Sequence, residues 1–164
     1  MNVLRKMLKK KIKIDHNSIP LEFVSSTVKL LADKNKLIVG KTADNLSELA
    51  NLVPVKWLKS QAENLFPALA APLGESAMKP RMAGVKCLKV WIERTGLAVG
   101  IEKLVLEEQL VKPKPFLKRS LMEVLGEVLL ATVPSKKVNA GAALESSTVY
   151  RKVLKYLECC VRTY

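Results

Sequence analysis

The sequence predicts an all-α protein, arranged as an α-solenoid of stacked helical hairpins. Three observations point there. Hydrophobic residues make up 49% of the 164 residues but aromatics only 5%, so the core must come from Leu, Val, Ala and Ile, which suits packed helices. Apolar residues recur at helical period in stripe after stripe, and no alternating strand pattern of any length occurs. The stripes also come in pairs, each pair joined by a tight polar turn. One such pair cannot bury its apolar face alone, so neighbouring pairs stack. An irregular helical bundle is the alternative arrangement of the same helices.

The elements follow in order. Val3, Leu4, Met7, Leu8 and Ile12 share a helical face among lysines, until "DHNS" breaks the pattern. Pro20 is placed to start a helix, whose stripe is Leu21, Val24, Val28 and Leu31. "DKNK", residues 33–36, is a turn. Val39, Ala43, Leu46, Leu49, Ala50 and Val53 make the next stripe, which Pro54 interrupts. "AENLFPALAAPLG" is apolar and helix-prone, but Pro67 and Pro72 predict a kinked or short helix. After the turn "ESAMKPR" come Met82, Val85, Leu88, Val90, Trp91 and Ile92, and Gly96 is a natural C-terminal cap. "GLAVG" reads as the connection to a helix with Ile101, Leu104, Val105, Leu106 and Leu110. "KPKP", residues 112–115, is a turn before Phe116, Leu117, Leu121, Val124, Leu125, Val128 and Leu129, a long helix ending near Pro134. A loop and a short helical piece, "AALES", lead to Val149, Val153, Leu154, Leu157 and Val161. Roughly eight or nine helices result.

The turns "DKNKLIVGK", "ESAMKPR", "KPKPFLK" and "ESSTVYR" align on Lys41, Arg81, Lys118 and Arg151, with separations of 40, 37 and 33 residues. A helical-pair period of this size marks an α-solenoid. Residues 1–16 then form a basic helix and residues 17–164 an array of about four repeats.

Net charge is +13, so the chain should meet something acidic: nucleic acid, an anionic membrane or an acidic protein surface. Residues 1–14 hold Arg5, Lys6, Lys9, Lys10, Lys11 and Lys13 and no acid before Asp15. This segment reads as the second helix of an incomplete repeat, as a basic arm toward an acidic tail or nucleic acid, or as an amphipathic targeting or membrane helix. The modest stripe and the lack of aromatics favour the first two. In a solenoid the turns inside each pair share one edge. That edge would present Lys34 and Lys36, then Lys79 and Arg81, then Lys112 and Lys114, then Arg151 and Lys152, with Pro80, Pro113 and Pro115 stiffening the turns. These are the candidate partner-binding residues. Each of them has an ordinary alternative, as a solvated turn residue or, for the arginines, a bond within the array.

No window is apolar enough to suggest a transmembrane span. Cys87, Cys159 and Cys160 are an odd set without zinc-like spacing, which favours reduced thiols. No nucleophile-and-base set, Gly-rich phosphate loop or metal cluster stands out. His16 reads as a turn residue, and Glu107 with Glu108 as a solvated helix face. The expectation is a binding protein without catalysis or cofactor. Trp91 belongs to the core; Trp57 packs between repeats or sits half-exposed there.

Asp33, Lys34, Asn35, Val39, Leu46, Leu49, Ala50 and Val53 follow a pattern similar to HEAT repeats. The stretch "LFPALAAPLGESAMKPRMAGVKCLKVWIERTGL", residues 65–97, is more specific. Through Leu69, Leu73, Gly74, Arg81, Leu88, Trp91, Glu93 and Gly96 it resembles the middle of a TOG domain, the tubulin-binding HEAT array of microtubule polymerases and CLASP-type proteins. "PKPFLKRSLMEVLGEVL" and "ESSTVYRKVLKYLECCV" are similar to its following repeats. The family's domain has six repeats, so this chain would be a truncated or divergent form; it lacks the first repeat, with its loop tryptophan, and carries Glu75 where the family has aspartate. The resemblance implies αβ-tubulin as partner, held through the basic intra-repeat turns, a role in microtubule growth or stability, a cytoplasmic, cytoskeletal setting and a monomeric array. The alternatives are a HEAT-like scaffold for another protein and a basic helical nucleic-acid-binding protein. The latter would hold phosphates alone, since the interleaved aromatics of single-strand binding are absent.

Overall fold

The computed structural model of the protein describes residues 10, 13–15, 19–20, 22–103 and 115–132. Among them are six helices and no strand: α1 (Glu22–Leu31), α2 (Lys36–Leu52), α3 (Val55–Leu73), α4 (Met78–Thr95), α5 (Leu97–Lys103) and α6 (Pro115–Thr132).

Local chemistry sets the boundaries. Asn35 N-caps α2, its side chain accepting from the Leu37 N–H at 3.0 Å, and Asp33 in turn accepts from the Asn35 N–H at 2.6 Å. These side-chain oxygens satisfy donors that the first helical turn leaves open. Pro54 cannot continue α2, and it sits as N-cap of α3 with φ −65°. Gly96 ends α4 at φ 100°, a conformation that side chains with a Cβ resist. Because that one residue turns the chain, α5 starts at once at Leu97. "GLAVG" is thus mostly helix and not the connection its composition suggested.

The prolines of α3 predicted a kinked or short helix. α3 runs for 19 residues with Pro67 and Pro72 inside it, so it is not short. Each proline removes a helical hydrogen bond. Against that cost, Trp57, Leu58, Ala62, Leu65, Phe66, Leu69, Ala70 and Leu73 are all buried, each large apolar side chain contributing about 1.5–3 kcal/mol. Packing outweighs the local penalty.

α1 packs on α2 and on α3, while α2 packs most extensively on α4 and α3 lies beside α4. α5 touches α3 and α4, and so does α6. α4 is therefore the central helix. The predicted α2 stripe, Val39 to Val53, is entirely buried. Trp91 is fully buried, edge-on to Phe66 with centroids 6.1 Å apart, and its Nε1–H donates to the Leu46 carbonyl at 3.3 Å. Trp57 is buried rather than half-exposed, packed 6.4 Å from the Phe23 ring. α4 approaches α3 so closely at Gly84 that an added Cβ would lie 3.0 Å from both Leu73 and Pro72.

At its C-terminal end, α2 leaves carbonyls that other segments satisfy. The Ile14 N–H donates to the Leu52 carbonyl at 2.9 Å, and Arg94 Nη2 donates to the Val53 carbonyl at 3.0 Å. Residues 13–15 carry no regular structure. Most of the predicted basic helix, His16, residues 104–114 and the last predicted helices lie outside the described residues, as do Cys159 and Cys160.

Candidate partner-binding edge

The first turns of α2, α4 and α6 lie side by side, joined through Lys36, Glu75, Arg81 and Phe116. Lys36, which opens α2, pairs with Glu75 in the α3–α4 turn at 2.7 Å. Arg81, in the first turn of α4, donates from Nη1 to the Glu75 and Ser76 carbonyls at 2.9 and 3.1 Å. The same guanidinium lies over the Phe116 ring of α6, 4.6 Å from its centroid. The guanidinium thus closes its own turn through hydrogen bonds and reaches the next helix through its flat face.

The eight predicted site residues therefore differ in role. Lys34 and Lys79 are exposed on this edge. Lys36 is exposed too but engaged by Glu75. Arg81 is half-buried and committed to the turn. Lys112, Lys114, Arg151 and Lys152 lie outside the described residues. Lys41, which marked the repeat, joins Lys36 and Lys79 along a groove between α2 and α4. Leu37, Gly40, Asp44, Ala77, Met78, Pro80 and Ala83 also line it, and its volume is about 400 Å³.

Apolar residues also mark this edge. Leu37 is 68% exposed, Met78 67%, Met82 46% and Phe116 42%. Met82 and Phe116 were expected on buried stripes; both are instead exposed, Phe116 beneath the Arg81 guanidinium. Leu37 is off the α2 stripe and Met78 precedes the α4 stripe, and that offset is the sequence signal that marks them.

Elsewhere the chemistry is quiet. Cys87 is a buried free thiol, and burial above all, with the Asp44 charge adding to it and Lys86 opposing, pushes its pKa far up. A thiol so held is a poor nucleophile. Lys89 bridges α4 to Glu127 of α6, and that hydrogen bond raises its pKa. Among the described residues no group of His, Cys, Asp and Glu is arranged to hold a metal, and no helix is long and apolar enough to cross a membrane.

No family model matches the chain, and no solved structure matches it.

Proposed function

We propose that the protein is a stacked-hairpin array of HEAT type that binds an acidic protein surface through the edge formed by its intra-pair turns, with αβ-tubulin as the partner. The stacking is supported by the order of contacts: α1 meets α3 and α2 meets α4, first helix on first helix and second on second. One observation carries the binding reading. The turns of successive pairs are gathered on one edge, joined by Lys36–Glu75 and Arg81–Phe116, with Lys34, Lys41 and Lys79 along it. A fixed turn loses less conformational freedom on binding. The choice of tubulin rests on the resemblance of residues 65–97 to a TOG domain, which implies a role in microtubule growth or stability and a cytoskeletal setting. The exposed apolar side chains among the lysines favour a protein partner over a nucleic acid, whose phosphates reward charge alone.

The test is gel filtration with αβ-tubulin at low salt. Wild type co-elutes, and Lys34→Glu/Lys79→Glu does not. Each exposed charge contributes about 0.5–1 kcal/mol, so binding weakens as salt screens it. Failure of the wild type to co-elute removes tubulin as the partner. Equal recovery of the variant removes this edge from the contact.

A further inference from the structure

We infer that the groove between the first turns of α2 and α4 receives a short acidic peptide segment of a partner, with one bulky apolar side chain of that segment seated between Leu37 and Met78. This rests on the edge being a contact surface, as proposed above, and not on the partner being tubulin.

The observations are shape, exposed apolar surface and charge. The groove measures about 400 Å³, within the roughly 300–1,000 Å³ of clefts that hold ligands. Gly40, Pro80 and Ala83 line it with little bulk or polarity. Leu37 and Met78 are the two most exposed large apolar side chains among the described residues, at 68% and 67%, and both line this one groove. Single exposed apolar residues are ordinary, whereas two that share a cleft mark a place where apolar surface is to be covered. Methionine is well suited to this, since its unbranched side chain adapts to what it meets.

Charge selects the occupant. Lys41 and Lys79 line the groove against the single acid Asp44, while Lys36 and Glu75 beside it engage each other. Neither α2 nor α4 has an acidic residue in its first turn, and Ala77 gives α4 no side-chain cap. The uncapped positive end of α4 therefore adds to the lysines, whereas that of α2 is capped by Asn35 with Asp33 beside it. A second copy of the chain fits poorly, because a two-fold contact sets a surface against itself and would bring these lysines together. Nucleic acid would leave Leu37 and Met78 uncovered. An acidic segment with an apolar anchor satisfies both the lysines and the apolar walls.

The test uses fluorescence anisotropy with labelled dodecapeptides of Glu and Ser carrying a central Phe, Leu or Met. At least one binds, and replacing its anchor by Ser weakens it about tenfold or more, a step of ~1.4 kcal/mol. Leu37→Ser/Met78→Ser in the protein produces a similar loss, with unchanged thermal melting because both side chains are exposed. Lys41→Glu/Lys79→Glu weakens binding too, as does added salt. The inference is overturned if no peptide binds at about 1 mM, the weak limit of specific recognition, or if anchorless peptides bind equally. It is also overturned if Leu37→Ser/Met78→Ser binds as wild type, or if sedimentation reveals a dimer that this variant dissolves. Tubulin co-elution, run in parallel, separates the two claims: tubulin binding without anchor-dependent peptide binding rejects the groove alone, and anchor-dependent peptide binding without tubulin rejects tubulin alone.

Discussion

Replacing Arg81 by Ala should destabilise the protein by about 2 kcal/mol, and the size follows from its contacts. Nη1 donates to two carbonyls of the α3–α4 turn, Glu75 and Ser76. Hydrogen bonds from charged groups contribute about 1.5–3 kcal/mol each. Here they share one nitrogen at a half-exposed site, so together they count as about one, near the low end. The face of the guanidinium over Phe116 adds about 0.5–1 kcal/mol, since that ring is itself exposed. The sum, about 2 kcal/mol, lowers Tm by about 4–8 °C for a chain of this size. Arg81→Lys should recover less than half, because one ammonium cannot bond the turn and also cover the ring. Urea unfolding, followed by the fluorescence of buried Trp57 and Trp91 and by far-UV circular dichroism, measures both variants. A double-mutant cycle with Phe116→Ala isolates the ring contact, with an expected coupling of about 0.5–1 kcal/mol. If Arg81→Ala falls within about 0.5 kcal/mol of wild type, Arg81 is a solvated turn residue and the closed turn is wrong.

Two glycines should respond oppositely to alanine. Gly84→Ala forces a Cβ to 3.0 Å from Leu73 and the rigid Pro72 ring and should cost about 1–3 kcal/mol before the helix-propensity gain offsets part of it, whereas Gly126, with open space around it, should gain about 0.5–1 kcal/mol; urea midpoints report both. Cys87 should resist iodoacetamide in the native protein and react on unfolding, read by mass spectrometry of its peptide, because it is wholly buried. Its raised pKa also has a sign. Stability from this group is fully present below the ordinary thiol pKa, about 8.5, and above it falls by up to ~1.4 kcal/mol per pH unit while the unfolded thiol alone ionises. Cys87→Ala should therefore flatten the decline in stability between about pH 8.5 and 10, and an unchanged slope would show that the thiol does not carry it.

Features governed by local rules were the legible ones. The α2 stripe, the stop at Pro54 and the cap at Gly96 each depend on residues within a turn or two, and all three stand where the sequence put them. Two local signals misled because tertiary packing outweighed them. Pro67 and Pro72 suggested a kinked or short helix, but the buried side chains of α3 hold it together over 19 residues, so it is not short. "GLAVG" looked like a connection, although Gly96 alone makes the turn. Of the candidate edge, the basic turns around Lys34, Lys36, Lys79 and Arg81 were legible as charge patterning, while Lys112, Lys114, Arg151 and Lys152 lie outside the described residues. The internal bonds of the edge were not legible, because Lys36 and Glu75 are 39 residues apart and no periodicity encodes such a pair. Arg81 stood with the contact residues, with a bond inside the array as its alternative, and its guanidinium is in fact occupied by its own turn. The groove itself depends on how α2 lies on α4, which residue spacing along one helix does not specify.

The most direct test of the binding edge is hydrogen–deuterium exchange of the protein alone and in complex with αβ-tubulin. Protection on binding should concentrate at residues 33–41 and 75–82, where the turns and the first turns of α2 and α4 lie. The opposite ends of those helices, residues 50–55 and 93–97, should exchange as they do in the free protein. Protection at residues 50–55 and 93–97, with none at residues 33–41 and 75–82, would contradict the account.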